Sequence, residues 1–156
     1  MQKFILTLSL AACCQLALAQ DFNQIANYKF QSAEDFKTQE PTIIQCAEFL
    51  LGTPASQQEP QRLLAIQFIL KWMEGTPDYT FEIGPEAAEL TKGNTELLSL
   101  FLASMSKVVL ENNGSSLTNA EVYQLSETMV VDYCADENNK VKPSKKIKQL
   151  LKSQKT

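Results

Sequence analysis

The chain has 156 residues, a formal net charge of −4, no histidine, and Arg62 as its one arginine. Lacking histidine, it lacks the commonest general base and the commonest metal ligand, and its few cysteines cannot supply the nitrogen and sulfur donors of a zinc site. No G-x-S-x-G elbow, P-loop or dinucleotide fingerprint occurs, so the sequence points to no enzyme class, cofactor or metal, and its acidic balance argues against nucleic acid as a partner.

Met1-Gln2-Lys3 is a short basic start, Phe4 to Leu16 an apolar run, and Ala17-Leu18-Ala19 a small-x-small cleavage pattern. Residues 1–19 therefore read as a signal peptide, which predicts an exported protein, periplasmic or extracellular. The apolar run is too short to span a bilayer. Leu10-Ala11-Ala12-Cys13 resembles a bacterial lipobox, so a lipid anchor through Cys13 is the rival processing outcome. Against it, Leu16-Ala17-Leu18 stays apolar where lipoproteins begin a polar tether. The remaining chain is long enough for one domain with a real core, read as residues 20–139, followed by a Lys-rich segment over 140–156.

In the mature chain, Asp21 to Lys29 reads as an arm, and Ser32-Ala33-Glu34-Asp35 as the cap of a short turn carrying Phe36. Pro41 opens the first strong helix, where Ile43, Cys46, Ala47, Leu50 and Leu51 share one face. Gly52-Thr53-Pro54 stops it, with the glycine expected in a left-handed cap. A second helix over 60–74 is apolar nearly all round, which predicts the central element of the core. It ends at a second Gly-Thr-Pro, Gly75-Thr76-Pro77. Tyr79, Phe81 and Ile83 then alternate with Thr80 and Glu82, giving one extended segment near 79–83 without a partner strand. Gly84-Pro85 opens a short helix to about Leu90, and Asn94 caps another that runs to about Asn112. Thr118-Asn119-Ala120-Glu121 is a capping box with Leu117 and Val122 as its staple, starting a helix that ends near Cys134. Asn113-Gly114-Ser115 is a glycosylation sequon in any eukaryotic setting. Ser144 precedes a last short helix carrying Ile147, Leu150 and Leu151.

Three groups of residues carry the functional expectations. Cys46 and Cys134, in an oxidising compartment, invite a disulfide that would tie the first strong helix to the fourth; closing so long a loop is worth about 4–5 kcal/mol on the chain-entropy model. Trp72, Tyr79 and Phe81 lie across a rigid turn and read either as core or as the frame of a binding surface. The charge distribution is lopsided: residues 20–139 hold six basic against eighteen acidic residues, while residues 140–156 hold seven lysines and no acid. Lys145, Lys146, Lys148 and Lys152 on the last helix would meet an acidic protein partner or, less readily, a membrane surface; alternatively they fold back onto the acidic body.

The sequence therefore predicts an all-α protein, a single small bundle of about five helices around one apolar helix. The Lys-rich helix is expected to dock on it. The function it points to is a non-catalytic binding or interaction module with a protein partner. The rivals are a carboxylate-dependent hydrolase and a structural component of an envelope assembly. A hydrolase would show a carboxylate pair converging in a pocket with one pKa strongly raised.

Overall fold

The computed structural model describes residues 22–112 and 117–154. The segment read as a signal peptide, with Cys13 in it, and the Asn113 sequon lie outside the described residues. Those residues form seven α-helices and no strand: α1 (Ala33–Thr38), α2 (Glu40–Gly52), α3 (Glu59–Gly75), α4 (Pro85–Thr91), α5 (Thr95–Glu111), α6 (Asn119–Ala135) and α7 (Lys145–Ser153). Single 3-10 turns precede α1, at Asn23–Ile25, and follow α6, at Glu137–Asn139. None of the described helices is long and apolar enough to cross a membrane.

Most helix starts follow local chemistry. Pro41, Pro60 and Pro85 each sit in a first turn, where the missing N–H would have had no partner anyway. Asn94 Oδ1 accepts from the amides of Glu96 and Leu97 at 3.0 and 3.3 Å. Thr118 and Glu121 form the expected capping box, and Ser32 with Asp35 forms another. The backbone amides that Asp35 and Glu121 accept hold both carboxyls below their ordinary value.

Both Gly-Thr-Pro stops end their helices, but not as expected. Gly52 and Gly75 are the last helical residues, and neither has a positive φ. The break falls on the following threonine, extended at φ −118°, ψ 133° for Thr53 and φ −62°, ψ 129° for Thr76. A residue before proline is pushed out of the α region by the proline ring, so the Thr-Pro step is enough to stop the chain. The left-handed backbone occurs instead at Gln58, Lys92, Gly93 and Lys140.

The helices surround two apolar clusters. One gathers Phe22, Ile25, Ile43, Cys46, Phe49, Leu50, Phe68, Ile69 and Trp72. The other gathers Leu90, Leu97, Leu100, Phe101, Met105, Val108, Val122, Val130, Val131, Cys134 and Ile147. Helix α5 feeds both, through Ala103 and Leu110 into the first and through six of its residues into the second. It packs against α2, α3, α4 and α6. Helix α3 buries one face only: Leu63 is 56 % and Leu70 37 % exposed. Helix α5 buries two of its serines as well. Ser104 and Ser106 are fully enclosed because they donate to the carbonyls of Leu100 and Leu102 at 2.8 and 3.1 Å. Their small side chains also let flanking helices approach closely.

The disulfide is not formed. Cys46 and Cys134 are free, buried thiols, and they belong to different apolar clusters, one on α2 and one on α6. Each packs as a small hydrophobe within its own helix face. Burial pushes the Cys46 thiol up to about 12 and the Cys134 thiol up to about 11.

The tie between the end of α2 and α6 comes from hydrogen bonds instead. Buried Arg62 donates through Nη1 to the carbonyls of Leu50 and Thr53, at 3.1 and 2.8 Å, and pairs through Nη2 with Glu96. Tyr133 Oη donates to the same Thr53 carbonyl at 2.8 Å. Asn139 Nδ2 donates to the Tyr133 carbonyl, and the Ala55 amide donates to the Asn139 carbonyl. The chain's one arginine therefore closes the C-terminal end of α2 and joins three helices there.

Candidate functional site

Trp72, Tyr79 and Phe81 come together, and what they build is core. Trp72 is fully buried, and its Nε1 donates to the Phe36 carbonyl at 3.2 Å. The rings of Tyr79 and Phe81 lie 5.6 and 5.7 Å from it. Residues 76–84 carry no strand pairing; their alternation places Tyr79 and Phe81 half-buried on the apolar clusters. Burial raises the Tyr79 pKa, and the carboxylates of Glu40 and Asp78 add to it. The turn is thus occupied by its own aromatics.

The Lys-rich segment behaves differently. Ser144 Oγ accepts from the Ile147 amide at 3.1 Å, starting α7. Ile147 is fully buried, Leu150 and Leu151 pack half-buried beside it, and the helix lies on α4 and α6. Burying Ile147 alone is worth about 1.5–3 kcal/mol. Docked in this way, α7 leaves Lys145, Lys148 and Lys152 exposed and Lys146 half-buried.

The apolar residues of α7 and its lysines thus have different surroundings. Among the described residues, ion pairs join Arg62 to Glu96 and Lys107 to Glu48 and Glu111. None holds Lys140, Lys142, Lys145, Lys146 or Lys148. Two of these lysines, Lys145 and Lys146, also stand in the first turn of α7, which has no acidic residue. A helix N-terminus disfavours cations by about 0.3–1 kcal/mol each when exposed.

Two groupings were not foreseen, because each joins residues far apart in the chain. Glu82, Glu86, Glu89 and Glu127 line one open cleft of about 470 Å³ with Tyr123 and Lys146. Tyr123 Oη donates to Glu127 at 2.9 Å, and burial followed by that contact raises its pKa. The carboxyl that burial pushes up is a different one, Glu40 at the start of α2, and it does not line this cleft. A second open cavity, shallower than the first and of about 420 Å³, lies where the α4–α5 turn meets the start of α7. Lys92 belongs to it together with Lys142, Lys145 and Lys148, a link no spacing rule would reveal. No group of three or more Cys, Asp or Glu side chains among the described residues is placed to hold a metal ion.

Compared with known proteins, the chain matches no family model, no curated sequence and no solved structure.

Proposed function

We propose that this is an exported, non-catalytic interaction module that presents the lysine face of α7 to an acidic protein partner. The carrying observation is the split character of that helix: its apolar side is used inside the fold, while Lys145 and Lys148 stay exposed without an ion pair. Export rests on the pattern of residues 1–19. Against the rival turn surface stands the burial of Trp72.

The test is affinity capture of the mature protein, tagged at its N-terminus, from the envelope or secreted fraction of its own cells. Removing α7 would expose the pocket of Ile147, so the comparison is the charge reversal Lys145→Glu/Lys148→Glu/Lys152→Glu, with folding checked by thermal melting. One partner at comparable amount, lost in the variant and weakened by salt, is the expected result. A partner kept equally by the variant, or none at all, overturns the reading. The hydrolase reading has the four-glutamate cleft as its motivating observation. It requires a turnover that Glu127→Gln abolishes.

A further inference from the structure

We propose that the cavity between the α4–α5 turn and the start of α7 binds a phosphate-type oxyanion, held by Lys92, Lys142, Lys145 and Lys148. The inference deepens the reading of α7 as the working face, and rests on it in that two of the four lysines belong to that helix. Three separate segments bring these lysines to the wall of one cavity of about 420 Å³, and no carboxylate lines it. In a chain with more acidic than basic residues, the fold has gathered four lysines that none of the ion pairs among the described residues holds. Like charges brought together repel, and a bound anion removes that repulsion. Three other clefts differ, since each has carboxylates in its wall: Glu82, Glu86, Glu89 and Glu127 in one, Glu59 and Glu96 in another, and Asp136 and Glu137 in a third that shares Pro143 with the lysine cavity.

The walls are also held in place. Lys92 has a left-handed backbone, φ 31°, ψ 64°, and its amide donates to the Ala88 carbonyl at 2.8 Å. A non-glycine residue there carries strain that its surroundings must hold. Asn94 caps α5 with Oδ1, and its Nδ2 donates to the Lys142 carbonyl at 3.2 Å, pinning the linker to the turn. Buried Ile147 fixes the helix that carries Lys145 and Lys148. Lysine is a compact, strongly charged donor suited to phosphate oxygens. The cavity has room for the oxyanion and part of whatever carries it.

The experiment titrates inorganic phosphate into the mature protein at fixed low ionic strength, reading backbone amide shifts, for the parent and for Lys92→Gln, Lys142→Gln and Lys140→Gln. Lys140 is exposed and does not line the cavity. Saturable binding is expected, with the largest shifts at residues 91–94 and 142–145. Each cavity substitution should weaken it about fivefold, the effect of one unit charge near 4 Å in water-like surroundings, and Lys140→Gln should leave it unchanged. No saturable binding, or an equal loss with Lys140→Gln, overturns the site in favour of a diffuse lysine field.

A second arm uses phosphatidylcholine vesicles with and without phosphatidic acid. Sedimentation that needs phosphatidic acid, is competed by free phosphate and is lost in Lys92→Gln supports the site and assigns the oxyanion to a lipid headgroup. Phosphate binding without sedimentation supports it too, and assigns a soluble phosphate-bearing ligand. Capture lost in the α7 charge reversal while phosphate fails to bind overturns the cavity and leaves the interaction module standing. Phosphate bound with no captured partner does the reverse.

Discussion

Replacing Arg62 with methionine tests the network that stands where a disulfide was expected. Methionine keeps an unbranched apolar stem and removes the guanidinium. Two charge-assisted hydrogen bonds go, to the Leu50 and Thr53 carbonyls at 3.1 and 2.8 Å, and with them the pairing to Glu96. Hydrogen bonds to a charged group contribute about 1.5–3 kcal/mol each, so the gross loss is about 3–6 kcal/mol. Three features reduce it. Arg62 Nε is buried without a protein acceptor, so removing the group relieves a desolvation penalty. The Glu96 side chain is 32 % exposed and rehydrates. Tyr133 still donates to the Thr53 carbonyl. The net expectation is a destabilisation of about 2–3 kcal/mol.

Trp72, the single tryptophan and fully buried, reports unfolding in urea by its fluorescence. The midpoint should fall with little change in slope. Glu96→Gln should lose about 1 kcal/mol or less, because the carbonyl bonds remain and a partly exposed ion pair adds little. If Arg62→Met stays within about 0.5 kcal/mol of the parent, Arg62 is not holding the helices together. If Glu96→Gln is as damaging as Arg62→Met, the energy lies in the ion pair and not in the closure of α2.

The two Gly-Thr-Pro stops should respond oppositely to alanine. A Cβ on Gly52 meets nothing within 4 Å, so Gly52→Ala should stabilise by about 0.5 kcal/mol in urea unfolding. A Cβ on Gly75 would lie 2.5 Å from Phe36 Cζ, whose ring is stacked 4.5 Å from Phe30, so Gly75→Ala should lose about 1–2 kcal/mol; equal effects would mean the ring moves freely. A chain of residues 20–156 should show no mass change on reduction and no reaction of Cys46 or Cys134 with a thiol-specific disulfide reagent until it unfolds. Both thiols are raised on folding from 9.0, so the unfolded chain loses those protons first. Their contribution is complete below pH 9 and is lost as pH rises towards 11 to 12, at about 1.4 kcal/mol per pH unit for Cys46; Cys46→Ala should flatten that fall, and an unaltered profile would contradict the assignment. Ile147→Ala should lose about 2–4 kcal/mol, and Lys148→Gln should stay within about 0.5 kcal/mol, both read by thermal melting. Similar losses from both would mean that the lysine face is part of the fold.

Helix starts and stops were legible because they are local. Thr118 with Glu121, Ser32 with Asp35, Asn94 and the three prolines act within a turn of chain, so their residue types carry the result. The dominance of α5 was not legible. Apolar counting favours α3, whereas burial depends on which face neighbours cover and on whether a serine can satisfy itself at the carbonyl four residues back. The cysteines misled for a related reason. An expectation of export bears on the oxidant and says nothing of whether two apolar faces point at each other. Arg62 was noticed only as a lone arginine, since its partners are backbone carbonyls and a carboxylate from other segments. The lysine-lined cavity was hidden in the same way: Lys142, Lys145 and Lys148 are visible together, and Lys92 joins them through the docking of α7 alone.

What the lysines contribute can be separated from what their helix contributes. Helix α7 is held by Ile147, Leu150 and Leu151, and any soluble polar residue at the exposed positions would preserve that docking. Charge there works against the fold in two ways. Lys145 and Lys146 oppose the dipole of the helix they start, at about 0.3–1 kcal/mol each when exposed. Lys92 and Lys142 are then added beside Lys145 and Lys148 with no acid between them. Among the described residues, Arg62 pairs with Glu96 and Lys107 with Glu48 and Glu111, and none of these ion pairs involves Lys92, Lys142, Lys145 or Lys148. Lys146 shares its cleft with Glu82, Glu86, Glu89 and Glu127, so the charge left for the proposed anion to offset is that of Lys92, Lys142, Lys145 and Lys148.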